Sequence, residues 1–255
     1  MSKITVDFST TVGKIKPMHA VNNGPIKARG DQSRENFAAY AAAGIPYART
    51  HDSSFYHRYG QEHTVDVLYI FPDFDADETQ EESYNFLPTD LYLQTIRDTG
   101  AEIFYRLGES AEPYSRKLYA RSPRDKEKWA RICEHIIMHY TEGWANGTYR
   151  DVEYWEIWNE PENDPDLSKN HMWQGTKEQY FEMYRITANH LKACFPDLKI
   201  GGYASCGFYT IGPDGNFFDP KIEEFQRVLE LNLVGTVLPT QVFLKPMVEQ
   251  QKGAI

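Results

Sequence analysis

The sequence predicts an α/β fold of the (β/α) TIM-barrel type, on three observations. Five short apolar runs alternate along residues 15–203 with stretches of helical period. Glycines stand where helices should stop, at Gly44 and Gly100. Residues 125–140 place Trp129, Ile132, Cys133, Ile136, Ile137 and Tyr140 on the single stripe of an amphipathic helix. Strand and helix in alternation imply a parallel sheet wrapped by helices, either open or closed into a barrel.

In order, 15–21 reads as the first strand, running into the turn residues Asn22, Asn23, Gly24 and Pro25. A helix over 31–43 ends at Gly44, and 45–50 forms the second strand. Residues 51–85 read as a long insertion whose acidic stretch, 72–82, forms a solvated loop. A helix over 90–99 precedes a third strand over 102–107, the amphipathic helix over 125–140 precedes a fourth strand over 152–158, and a helix over 177–193 precedes a fifth over 198–203. A full eight-unit barrel takes about 250 residues. Only five units fit before residue 204, so the expectation is a barrel truncated after its fifth strand.

Composition narrows the class. The 255 residues carry 27 Lys+Arg against 37 Asp+Glu, a formal net charge of −10, with 41% hydrophobic residues. That balance suits a globular chain and disfavours nucleic acid or an anionic membrane as partner. No signal core and no run of about 20 apolar residues is present, so cytoplasmic is the expected location. Cys133, Cys194 and Cys206 have no CxxC spacing, which suggests reduced thiols with no disulfide framework and no metal site. No cofactor is expected. The 17 Tyr and 5 Trp make a site that stacks sugar-like ligands plausible, with an aromatic core as the plainer alternative.

The chemistry concentrates at Tyr154-Trp155-Glu156-Ile157-Trp158-Asn159-Glu160-Pro161-Glu162, an apolar strand ending in a carboxylate. Strand alternation puts Glu156, Trp158 and Glu160 on one side, and Trp155, Ile157 and Asn159 on the other. Barrel active sites form at C-terminal strand ends, so Glu160 stands where a catalytic group would. Trp173, in the loop after the fourth strand, is a candidate stacking platform, and Tyr203, at the end of the fifth, a candidate sugar contact. Glu109, at the end of the third, could bind a ligand or lie solvated at the start of a loop.

Trp158-Asn159-Glu160-Pro161 resembles the acid/base signature of the barrel clan of retaining glycoside hydrolases. With Lys16-Pro17-Met18-His19, Tyr47-Ala48-Arg49-Thr50-His51, Phe104-Tyr105-Arg106-Leu107-Gly108-Glu109 and Ile200-Gly201-Gly202-Tyr203, the likeness narrows to the β-xylosidase-like group of family 39 and covers 1 to about 206. The resemblance implies a carbohydrate substrate, Glu160 as general acid/base and Asn159 as ligand of the sugar 2-hydroxyl, a contact that strengthens in the transition state. It also implies that Arg49 and His51 line the sugar subsite, and that the nucleophile comes from a seventh strand. Glu156 and Glu162 lie too near Glu160 in sequence to replace it, so the resemblance leaves turnover impaired, or sugar binding alone.

Beyond residue 206 the texture changes. Residues 207–255, with Asn232 on a helix and Gly253 at a strand start, resemble a fragment of the short-chain dehydrogenases. The glycine-rich cofactor turn and the Ser and Tyr-x-x-x-Lys of that NAD(P)-dependent chemistry are not found in the sequence. The expected organisation is therefore a partial glycosidase barrel over 1–206 joined, by fusion or otherwise, to a Rossmann-like helical fragment over 207–255. Apolar residues left uncovered by five strands would favour self-association.

Overall fold

The computed structural model describes residues 13, 18–26, 35–51, 63–112, 119–149, 151–164 and 166–205. Within them, five parallel strands form one sheet in chain order: β1 (Val21–Asn22), β2 (Tyr47–Arg49), β3 (Glu102–Leu107), β4 (Tyr154–Asn159) and β5 (Lys199–Ala204). Helices α1 (Phe37–Ala42), α2 (Val67–Ile70), α3 (Leu87–Arg97), α4 (Lys126–Thr141) and α5 (Lys177–Cys194) occupy the connections. Sequential parallel neighbours joined by helical crossovers are the topology that the alternation predicts.

The long helices start where their caps dictate. Asp125 accepts the Lys128 N–H at 2.8 Å to open α4. Thr176 and Gln179 form a reciprocal capping box on α5, with Gln179 N donating to Thr176 Oγ1 at 3.2 Å and Thr176 N to Gln179 Oε1 at 2.9 Å. Helix α3 begins at Leu87, ahead of the expected Asp90, because Pro88 fits a first turn in which its missing N–H has no intrahelical partner to lose. Gly44 (φ +60°) and Gly100 (φ +85°) follow α1 and α3 in the left-handed conformation that ends a helix.

Two sequence expectations are corrected. The first strand is only Val21–Asn22, and residues 18–20 are not paired; 14–17 lie outside the described residues. Helix α1 is likewise short, with 31–34 outside the description. The insertion also supplies core residues ahead of its acidic stretch: Val65, Val67, Ile70 and Phe71 are completely buried, since apolar side chains this dense seek the core whatever the loop's charge. Its acidic stretch is mostly exposed but tied to α4, where Glu78 pairs with Arg131 (2.7 Å) and Lys128 (3.4 Å).

Between sheet and helices lies an aromatic layer. Trp155 of β4 meets Tyr105 of β3 at 5.0 Å between ring centroids and Tyr140 of α4 at 6.5 Å. Trp158 meets Trp129 of α4 at 6.0 Å and Trp173 at 5.1 Å, and Trp173 rests on Tyr180 of α5 at 5.4 Å. These tryptophans are buried, and truncating such a side chain to Ala costs about 3–5 kcal/mol. The aromatic excess is therefore spent largely on the core. The tail expected to resemble a dehydrogenase, 207–255 with Asn232, lies outside the described residues.

Candidate active site

The site is built around Arg49, the last residue of β2. Its guanidinium donates from Nε to Glu156 Oε2 at 2.7 Å, from Nη2 to Asn159 Oδ1 at 2.7 Å and from Nη1 to Asn22 Oδ1 at 3.0 Å. One side chain thus joins β1, β2 and β4 on the sheet face away from the aromatic layer. A planar fork of donors suits this, since each partner presents only an oxygen to it. The ion pair is largely sheltered, with the Arg49 and Glu156 side chains 20% and 10% exposed. Burial pushes the Glu156 carboxyl above its ordinary value, and the Arg49 charge opposes part of that rise.

Glu156 and Asn159 are three residues apart on a strand, so strict alternation would set them on opposite faces. The backbone explains why both meet Arg49. Trp158 has φ +70° and Glu160 φ +41°, left-handed conformations rare for side-chain-bearing residues. The turn at Trp158 sends its indole into the helix layer, where Nε1 donates to Met172 O at 2.9 Å, and swings Asn159 back toward Arg49. The expected alternation is therefore wrong beyond Ile157. Gly108 (φ +135°), just past the neighbouring strand β3, makes room: a Cβ there would lie 3.2 Å from Trp158 Cα.

Glu160 follows directly. Its N–H donates to Ala204 O at 2.8 Å, which fixes it beside the end of β5, and its Oε2 accepts from Asn163 Nδ2 at 3.2 Å. His51 lies just past β2, its backbone N–H held by Asn23 Oδ1 at 3.1 Å. A cleft of about 370 Å³ opens beside Asn22, Tyr47, Arg49, Phe104 and Ala204. The structure thus brings together Arg49 and Asn159, with Glu160 the next residue along. It does not bring Trp173 to them: that ring is fully buried against Trp158 and Tyr180, and its Nε1 donates to Thr176 O at 3.1 Å. Trp173 is a packing residue, not an available platform. Tyr203 stands on β5, and its side chain is outside the description.

Arg106 and Asp66 carry no expectation from the sequence. Arg106, fully buried on β3 beside Glu156, donates to Asp66 Oδ1 at 3.0 Å, and Asp66 also accepts from Ser110 N and Oγ, both at 2.8 Å. A lone Arg inside the apolar run Ile103–Leu107 was the signal that a buried acid must accompany it. Glu109 is buried, not solvated: Leu68 N donates to it at 3.1 Å. Burial, reinforced by the Asp66 charge, raises its carboxyl well above the usual range. It lines a separate cavity of about 250 Å³ beside Phe74, Trp129 and Trp158, on the helix side.

An amide and a guanidinium meet at the C-terminal ends of parallel strands, where (β/α)-barrel proteins build their active sites, with the Glu156 carboxylate beside them. The comparisons go one step further. Residues 2–225 match the family described as "Glycosyl hydrolases family 39", and the chain belongs to that family. The match runs past residue 206, where the sequence suggested a junction, and the likeness of the tail to dehydrogenases gains no support from it. The chain is 24% identical over 215 residues to a "Beta-xylosidase" of Caldicellulosiruptor saccharolyticus, covering 80% of this chain and 40% of the relative. To a "Beta-xylosidase" of Geobacillus stearothermophilus it is 25% identical over 153 residues, covering 56% and 29%. Among solved structures, a glucosidase from Croceicoccus marinus superposes with a TM-score of 0.59 at 28% identity, over 76% of this chain and 38% of that one. The chain therefore spans less than half the length of these relatives.

Proposed function

We infer that this chain carries the acid/base half of a retaining β-glycosidase site, with a pentose or hexose such as xylose or glucose as the sugar. One observation carries the reading, the orientation of the Asn159 amide. A guanidinium only donates, so Arg49 holds Asn159 by its oxygen and turns the amide nitrogen the other way. That buried Nδ2 has no hydrogen-bond partner among the described residues, and a buried donor left so is costly. A sugar hydroxyl would accept from it. Glu160, the next residue, then stands at the position from which a carboxyl protonates the glycosidic oxygen and later takes a proton from water.

Retention also needs a second carboxylate about 5–5.5 Å from the first. Glu156 does not supply it, because it is engaged by Arg49 on the strand that leads into Glu160. By family resemblance the nucleophile belongs to a seventh strand, which is not among the five described strands. The test pairs sugar-induced tryptophan fluorescence with aryl β-xyloside and β-glucoside hydrolysis. Asn159→Ala should weaken binding at least tenfold, which corresponds to about 1.4 kcal/mol. Glu160→Gln should bind as the parent does and lose whatever turnover the parent shows. Unchanged binding in Asn159→Ala, or unchanged turnover in Glu160→Gln, would sink the assignment.

A further inference from the structure

Away from the strand ends, three side chains converge on the outer surface of the helix layer. His190 and Cys194 are one turn apart on α5, so they share a face, and Glu134 of α4 reaches them from the side. Glu134 Oε2 lies 2.6 Å from His190 Nε2, Cys194 Sγ lies 3.9 Å from the same nitrogen, and the three donor atoms all fall within 4.8 Å of one another. The group is accessible: His190 and Glu134 are 32% and 24% exposed, and Cys194 is exposed.

We propose that Glu134, His190 and Cys194 form a three-ligand site for a divalent transition metal of the zinc class, which clamps α4 to α5. The donor set selects the metal. Thiolate and imidazole favour zinc-like ions over magnesium or calcium, and three protein ligands plus water complete a tetrahedron. Charge agrees as well, because one thiolate and one carboxylate offset a dication. Zinc bond lengths of about 2.0–2.3 Å put tetrahedral donors roughly 3.3–3.6 Å apart. The Glu134–His190 pair must open slightly and Cys194 must close slightly, changes within reach of side-chain rotation. Binding replaces the thiol proton, released to solvent, and the hydrogen bond between Glu134 and His190.

The helices are arranged to hold such a clamp. Lys126 and Glu182 pair at 3.0 Å, eight residues before Glu134 and His190 respectively, so α4 and α5 run side by side in one direction and in register. Cys194 closes α5 immediately before β5, at the end of the sheet opposite Asn159 and Glu160. The metal would therefore act on stability, leaving the sugar site untouched.

Cobalt(II) titration of the reduced full chain is the test, read by thiolate-to-cobalt charge-transfer absorption, with zinc(II) added afterwards as competitor and thermal unfolding followed with and without zinc. One equivalent of cobalt should develop the band and zinc should bleach it. Cys194→Ser should abolish the band, His190→Ala and Glu134→Gln should each weaken binding at least tenfold, and Cys206→Ser should bind as the parent does. Zinc should raise the unfolding temperature of the parent and not that of Cys194→Ser. A parent without the band, a band that survives Cys194→Ser, a band lost in Cys206→Ser, or unchanged affinity in His190→Ala or Glu134→Gln would each overturn the proposal and leave a hydrogen-bonded His–Glu pair beside a thiol. So would equal zinc-induced shifts in parent and Cys194→Ser.

Discussion

At Arg49 one residue organises three others, and removing it leaves Glu156 sheltered without its cation. Breaking a buried pair in this way costs about 3–5 kcal/mol when burial is complete. With Arg49 partly exposed, Arg49→Ala should fall at or below the lower end of that range in urea unfolding, and sugar binding should fall with it because the Asn159 amide loses its anchor. Arg49→Lys should recover only part of either, since an ammonium cannot reproduce the fork. Glu156 also sets a pH dependence. Its folded-state carboxyl is raised, so the native chain holds the proton more tightly than the unfolded one does. This contribution to stability is fully present below the ordinary carboxylate value and is lost as pH rises through the folded value. The difference in unfolding free energy between the parent and Glu156→Gln should therefore shift against the parent as pH climbs from about 4 to 7, the carboxylate range and above. A difference that is flat, or that moves in the parent's favour, would contradict the raised value.

The elements differ in how plainly they could be read. Strand β3 and helices α4 and α5 match their sequence ranges closely because their periodicity is unbroken and local residues cap them, Asp125 and Thr176 above all. Thr176→Ala should accordingly cost about 1 kcal/mol, measurable by urea denaturation, since it removes half of a capping box. The left-handed turn at Trp158 was not legible. Glycine or asparagine would have announced it, whereas a tryptophan there is held by tertiary contacts that the local sequence does not record. The resemblance places Arg49 in one site with Asn159, 110 residues away, but its pairing with Glu156, 107 residues away, leaves no local signal. Gly108→Ala tests the turn directly. The new methyl would require a positive φ and press on the Trp158 backbone, so stability should drop by about 1–3 kcal/mol, with weakened sugar binding as Asn159 shifts. Loss of stability with binding unchanged would separate the turn from the site.

Over the whole molecule, the two faces of the sheet carry different work. The face toward the helices holds Tyr105, Trp155 and the tryptophan stack, all buried; the other holds Arg49, beside an open cleft, with Glu156 and Asn159 buried against it. Hydrogen exchange should follow this division, with the slowest amides in β3, β4 and the centre of α4, around Tyr105, Trp155 and Ile136, and fast exchange at the two-residue β1. Comparable protection of β1 and β3 would contradict it. The barrel class was legible at this scale because alternation is a property of long stretches. The burial of 63–71 was not, because an acidic stretch beside it masked four apolar residues that belong to the core.

The turn at Trp158 also bears on what could be moved into another protein. Four letters, Trp-Asn-Glu-Pro, suggest a portable cassette, yet their arrangement is conferred from outside them. On a regular strand the same letters would aim the indole at the solvent side and hide the amide among hydrocarbon, so a host would receive the spelling without the site. A graft would have to carry Gly108 on the adjacent strand and the aromatic socket of Trp129 and Trp173 together with the motif. The unit of inheritance here is a pair of neighbouring strands with the pocket behind them.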